Sequence, residues 1–67
     1  MKIKLNNREE QIDRDSITIQ ELIDYKKYTF KLLVTKLNGK LVKKEDRKTI
    51  QVKDGDTVVV LHMVSGG

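Results

Sequence analysis

Ile17-Thr18-Ile19-Gln20-Glu21-Leu22-Ile23 is the stretch that decides the fold. Thr18 and Glu21 stand at the spacing of a capping box. The threonine oxygen accepts from the Glu21 amide, and the glutamate reaches back to the Thr18 amide. Ile17 and Leu22 occupy the two positions of a hydrophobic staple across that start. A helix is therefore predicted from about Ile19, with Ile19, Leu22 and Ile23 as a narrow apolar stripe. Lys26 and Lys27 suit the negative end of its dipole. A helix of roughly two turns does not hold itself in water. It needs a sheet to lie on.

The flanking sequence supplies one. Before the helix, Met1-Lys2-Ile3-Lys4-Leu5 alternates strictly, the pattern of a half-buried strand. Asn6-Asn7 follows, and Asn tolerates the left-handed backbone of a tight turn. A polar segment from about Glu9 to Asp13, anchored by Ile12, reads as a short second strand. After the helix, Leu32, Leu33, Val34 and Leu37 lead into Asn38-Gly39, a strong hairpin signal, and Leu41-Val42 returns. Lys43 to Lys48 suits a turn or a single helical turn. Ile50 and Val52 alternate as a short strand, Asp54-Gly55-Asp56 is a tight turn, and Thr57 to Val64 is the most apolar run.

Two strands, one helix and then further strands describe an α+β fold of the β-grasp, or ubiquitin-like, kind. We expect a mixed sheet of four to five strands with one main helix packed on one face. The last strand should pair beside the first. Residues 1–64 form the domain, and 65–67 a flexible C-terminal Gly-Gly tail.

Composition narrows the chemistry. Sixty-seven residues allow one small domain. With no Cys there is no disulfide, Fe–S cluster, thiolate zinc site or cysteine nucleophile. A single His, His62, leaves no histidine-based metal site or triad, and it reads as a solvated strand residue. Ser16 and Ser65 lack a base. Asp54 and Asp56 read as turn-forming acids, because residues 57–64 supply no bidentate acid to complete a calcium loop. No metal site is expected. Fourteen Lys/Arg against ten Asp/Glu give a net charge of +4. The basic residues are spread along the chain without interleaved aromatics, so they read as solvated surface, the run Lys40 to Lys48 included. Neither nucleic acid nor membrane is expected as a partner. No signal-peptide pattern opens the sequence, and a cytoplasmic protein is expected.

The terminal residues offer chemistry without a catalytic side chain. Gly66-Gly67 follows the most apolar strand. Glycine has no Cβ, so Ser65, Gly66 and Gly67 can thread a channel in which side chains would clash. The Gly67 carboxylate is then an unhindered nucleophile for the α-phosphate of a nucleotide. On the last strand Val58 and Val60 share one face, and Val59, Leu61 and Met63 the other. Only one face packs under a single helix. Val59, Leu61 and Met63 are thus the candidate partner-binding patch beside the tail.

The ordered set Leu5-Asn6, Thr18-Ile19-Gln20-Glu21-Leu22-Ile23, Leu37-Asn38-Gly39-Lys40-Leu41-Val42, Ile50-Gln51-Val52-Lys53-Asp54-Gly55-Asp56 and Ser65-Gly66-Gly67 resembles the ThiS family, ubiquitin-like sulfur carriers of thiamine biosynthesis. It departs from the family pattern after the Asn-Gly hairpin. Lys43 and Lys44 follow Val42 where the family often has Pro-Arg, and Arg47 stands in place of a Trp. The resemblance implies a co-substrate rather than an enzyme, with no bound cofactor. An E1-like, ThiF-like adenylyltransferase would use ATP to adenylate Gly67. A persulfide donor would convert it to a thiocarboxylate, and a ThiG-like thiazole synthase would accept the sulfur. The alternatives are a MoaD-like carrier for molybdopterin synthesis, a protein-modifying ubiquitin-like tag, and a small basic nucleic-acid-binding module.

Overall fold

The computed structural model describes residues 1–28 and 32–63. β1 (Lys2–Leu5) buries Ile3 and Leu5 and points Lys2 and Lys4 outward, as its alternation requires. Asn6 and Asn7 both take positive φ (51° and 66°), the two-residue turn whose twist matches a hairpin. β2 (Arg8–Gln11) then pairs antiparallel with β1. Ile12 follows and is buried.

β3 (Ser16–Thr18) leads into helix α1 (Ile19–Tyr25). The capping box is complete. The Glu21 amide donates to Thr18 Oγ1 at 3.0 Å and the Thr18 amide donates to Glu21 Oε1 at 2.9 Å. The Thr18 backbone N–H, helped by the Thr18 hydroxyl and by Arg14, holds the Glu21 carboxyl below its ordinary value of 4.5. Ile19, Leu22 and Ile23 are the buried face.

The helix closes differently from the expectation of lysines in its last turn. Lys26 is the C-cap, and its ammonium lies 3.1 Å from Glu10 on β2. Lys27 takes φ 57°, the Tyr28 amide donates to the Ile23 carbonyl and the Lys27 amide to that of Asp24. This is a Schellman ending with Lys in the position that usually holds Gly.

β4 (Leu33–Leu37) turns through Asn38 and Gly39 (φ 51° and 85°) into β5 (Lys40–Val42). A single 3-10 turn covers Lys44–Asp46. β6 (Gln51–Lys53) and β7 (Thr57–His62) complete the described chain.

The main sheet has five strands in the order β2-β1-β7-β4-β5. It is mixed, as expected, with β7 parallel to β1 and antiparallel to β4. A second, two-stranded sheet joins β3 to β6 with Ile17 opposite Val52. Sequence reading did not foresee β3, which is three residues long and pairs across more than thirty residues of intervening chain. The core gathers Ile3, Leu5, Val58 and Val60 from the sheet, Ile19, Leu22 and Ile23 from the helix, and Ile17 and Val52 from the small sheet. Among the described residues, no helix is long and apolar enough to cross a membrane.

Candidate functional site

The expected reactive end, Ser65, Gly66 and Gly67, lies outside the described residues, as does Val64. The strand that leads to it is described in full. β7 is the central strand of the main sheet, so both its backbone edges are engaged. Beyond its last residue, the Met63 amide still donates to the Leu32 carbonyl at 2.9 Å.

Two polar side chains reinforce this strand. Asn6 spans 54 positions in sequence to clasp Val60. Its Nδ2 donates to the Val60 carbonyl at 3.1 Å, and its Oδ1 accepts from the Val60 amide at 2.8 Å. The side chain thereby prolongs the parallel β1–β7 ladder after β1 has turned away. The Asn6 amide also donates to the Val58 carbonyl at 2.9 Å. Sequence reading gave Asn6 only a turn role. Its left-handed φ fits that role, and the clasp is a second one that a local reading does not contain.

Arg47 acts on the neighbouring strand. It was expected on the solvated surface, within the run Lys40 to Lys48. It is instead only 9% exposed. Its Nη2 donates to the Leu33 carbonyl at 2.6 Å and its Nε to Thr35 Oγ1 at 3.2 Å. Thr35 is itself buried and donates to the Val42 carbonyl at 2.8 Å. The guanidinium thus ties the 3-10 turn region to β4, where Leu33 and Thr35 stand opposite His62 and Val60 of β7. Three hydrogen bonds in a chain meet the need of buried polar groups for partners.

The two faces of β7 divide as its alternation predicts. Val58 and Val60 are buried, while Val59 is half-buried, Leu61 is 48% exposed and Met63 is also exposed. The register adds residues that sequence reading did not assemble. Val34 stands opposite Leu61, and Lys36 stands between Val59 on β7 and Leu41 on β5. Leu41 is the most exposed of the apolar ones, at 64%. Directly opposed side chains share a face. The outer face of the sheet therefore presents Val34, Leu41, Val59 and Leu61 around Lys36, with Leu32 and Met63 exposed at the end toward the tail.

The other residues considered from sequence do structural work. The Asp54 carboxylate accepts from the Lys2 amide at 2.7 Å, and Asp56 accepts from the Lys53 amide at 2.9 Å. Asp56 also accepts from Asn38 Nδ2. Both acids are thus turn formers. His62 is exposed at the end of β7 and Ser16 begins β3. Among the described residues, no group of three or more His, Asp or Glu is placed to hold a metal ion.

Comparison with known proteins agrees with this architecture. The ThiS family model matches residues 2–67. The sulfur carrier protein ThiS of Bacillus subtilis is 26% identical over 65 residues, covering 97% of this chain and 98% of that one. A crystal structure of the thiamine biosynthesis protein ThiS from Geobacter metallireducens superposes with a TM-score of 0.90 at 29% identity, over the full length of both chains. A solution structure of a thiamine biosynthesis protein from the same organism gives 0.80 at the same identity, covering all of this chain and 88% of that one. The β-grasp fold and a family match that runs through Gly66 and Gly67 agree, and the chain belongs to the ThiS family of small sulfur carriers in thiamine biosynthesis.

Proposed function

We propose that this chain carries sulfur as a thiocarboxylate on Gly67 and delivers it for thiazole formation. The observation that supports this reading best is the family match over residues 2–67, which takes in the Gly66-Gly67 pair. The chemistry suits a body of this composition. The Gly67 carboxylate attacks the α-phosphate of ATP on an E1-like adenylyltransferase, and pyrophosphate leaves. The acyl-adenylate is an activated acyl group that a sulfur nucleophile can attack. The terminal sulfur of a persulfide donor displaces AMP to give an acyl disulfide, and a thiol reductant then cleaves its S–S bond, leaving the thiocarboxylate on Gly67 and the donor as a free thiol. A thiazole synthase then takes that sulfur. No side chain of the carrier has to act as acid, base or nucleophile, so the absence of Cys from the sequence is no obstacle. Ser65 and Gly66 are small enough to follow Gly67 into an enzyme channel. Val59, Leu61 and Met63 form the surface that the enzymes grip.

Intact-mass measurement tests the assignment. After incubation with ATP, the adenylyltransferase, a persulfide source and a thiol reductant, the chain should gain about 16 Da, the difference between oxygen and sulfur at an acyl group. Removal of Gly67 should abolish the gain. Among the described residues every core residue lies between Ile3 and Val60, so the truncated chain should keep its thermal midpoint. A truncated chain that still gains the mass would show that the sulfur sits elsewhere.

A further inference from the structure

Lys36 is the feature that the carrier reading leaves unexplained. It projects from the middle of the apolar outer face, with Val59 and Leu41 as its cross-strand neighbours and Val34 next on its own strand face. Among the described residues it makes no ion pair and no side-chain hydrogen bond. The same face continues onto β1 with Lys4, which is likewise without an ion pair, and Lys2, which meets Glu9 of β2 at 3.7 Å. The face therefore combines an apolar strip with unneutralised positive charge.

A partner that covers Val59, Leu41 and Leu61 also removes water from Lys36. An ammonium that loses water without gaining an opposite charge is strongly unfavourable. A second copy of this chain would bring the same lysine-bearing face and leave both ammonium groups without a counter-charge. A wholly apolar partner surface would leave one. We propose that this face docks on a protein surface that is apolar around a carboxylate set to meet Lys36, with further acidic groups opposite Lys4. The inference rests on the carrier reading only in naming that partner, the adenylyltransferase that activates Gly67. Lys36 then acts as a specificity residue, since it rejects basic or purely apolar surfaces that would otherwise accept the strip.

The test is a direct titration of the full chain against the purified adenylyltransferase of the same organism, without ATP or sulfur donor. Lys36→Glu should weaken binding by more than about tenfold, because it sets two carboxylates against each other. Lys36→Met should weaken it less, and Lys53→Glu, on the remote β6, by under about twofold. Raising the salt should weaken the wild-type complex more steeply than the Lys36→Met complex, which keeps only the pairing at Lys4. Circular dichroism confirms that each variant is folded. Equal binding by Lys36→Glu and wild type overturns the proposal, as does absence of binding by wild type. A concentration-dependent dimer in sedimentation that Leu61→Asp abolishes overturns it in favour of self-association. The two readings fail separately. Wild type and Lys36→Glu gaining mass with the same half-saturation leaves the carrier reading standing and removes the docking one. Lys36-dependent binding with no gain in mass does the reverse.

Discussion

Asn6 shows how much one side chain can hold in a domain this small. It is a turn residue in backbone conformation and a strand residue in hydrogen bonding. Both ends of its amide are used on Val60, a buried position of the central strand. Asn6→Ala removes both bonds, leaves the Val60 amide and carbonyl short of partners, and places a Cβ residue at positive φ without the amide that favours it. At about 1 kcal/mol per net hydrogen bond plus the cost of unsatisfied backbone, the loss should be about 2–4 kcal/mol. Urea denaturation followed by far-ultraviolet dichroism measures it, and a loss under about 0.5 kcal/mol would mean that water replaces the clasp. Arg47 makes the complementary point. The charged run Lys43 to Lys48 reads as solvent-facing, and its five residues other than Arg47 are exposed. Burial of the sixth is decided by Thr35 and the Leu33 carbonyl, which lie twelve and fourteen positions away. Such a contact has no local signature.

At the scale of elements, legibility followed the range of the interactions. The helix start was readable because its capping box and staple are complete within Ile17 to Leu22. The Asn38-Gly39 hairpin and the Val58/Val59 alternation were readable for the same reason. β6 was readable from the alternation of Ile50 and Val52, whereas β3 was not, because it has three residues and is held by β6 across more than thirty intervening positions. The outer face fell between the two cases. Alternation gave Val59, Leu61 and Met63, but Val34, Leu41 and Lys36 join them only once the register of β4, β5 and β7 is known. The capping box also sets a pH dependence. The Glu21 carboxyl is lowered in the fold, so the unfolded chain binds its proton first as the pH falls. The stabilisation from Glu21 is therefore present above about 4.5, and it declines as the pH drops through the lowered value. Glu21→Gln keeps an acceptor for the Thr18 amide and removes the titration. Thermal midpoints measured at pH 7 and pH 3 should fall less for the variant than for wild type. An equal fall would show that the box contributes no pH dependence.

Across the whole molecule, the architecture separates the body from its chemistry. The core, its helix and its polar clasps serve to fix one strand and the face around it. The candidate reactive group, Gly67, follows that strand in sequence. The Gly66-Gly67 pair was read as a chemical end from the sequence alone, whereas the outer face of the sheet took shape only with the strand register.

The strand order carries a consequence for truncation. β7 is the last of the described strands in sequence and the middle strand of the main sheet, with β1 on one side and β4 on the other. Without it the β1–β2 and β4–β5 hairpins have no strand between them, and an isolated hairpin is marginal at best in water. A chain truncated after Lys53 should give no cooperative melt and should be cut by protease under conditions in which the full chain survives. Losing that one strand therefore removes two things at once, the seam between the hairpins and the apolar outer face that Val59 and Leu61 help to form.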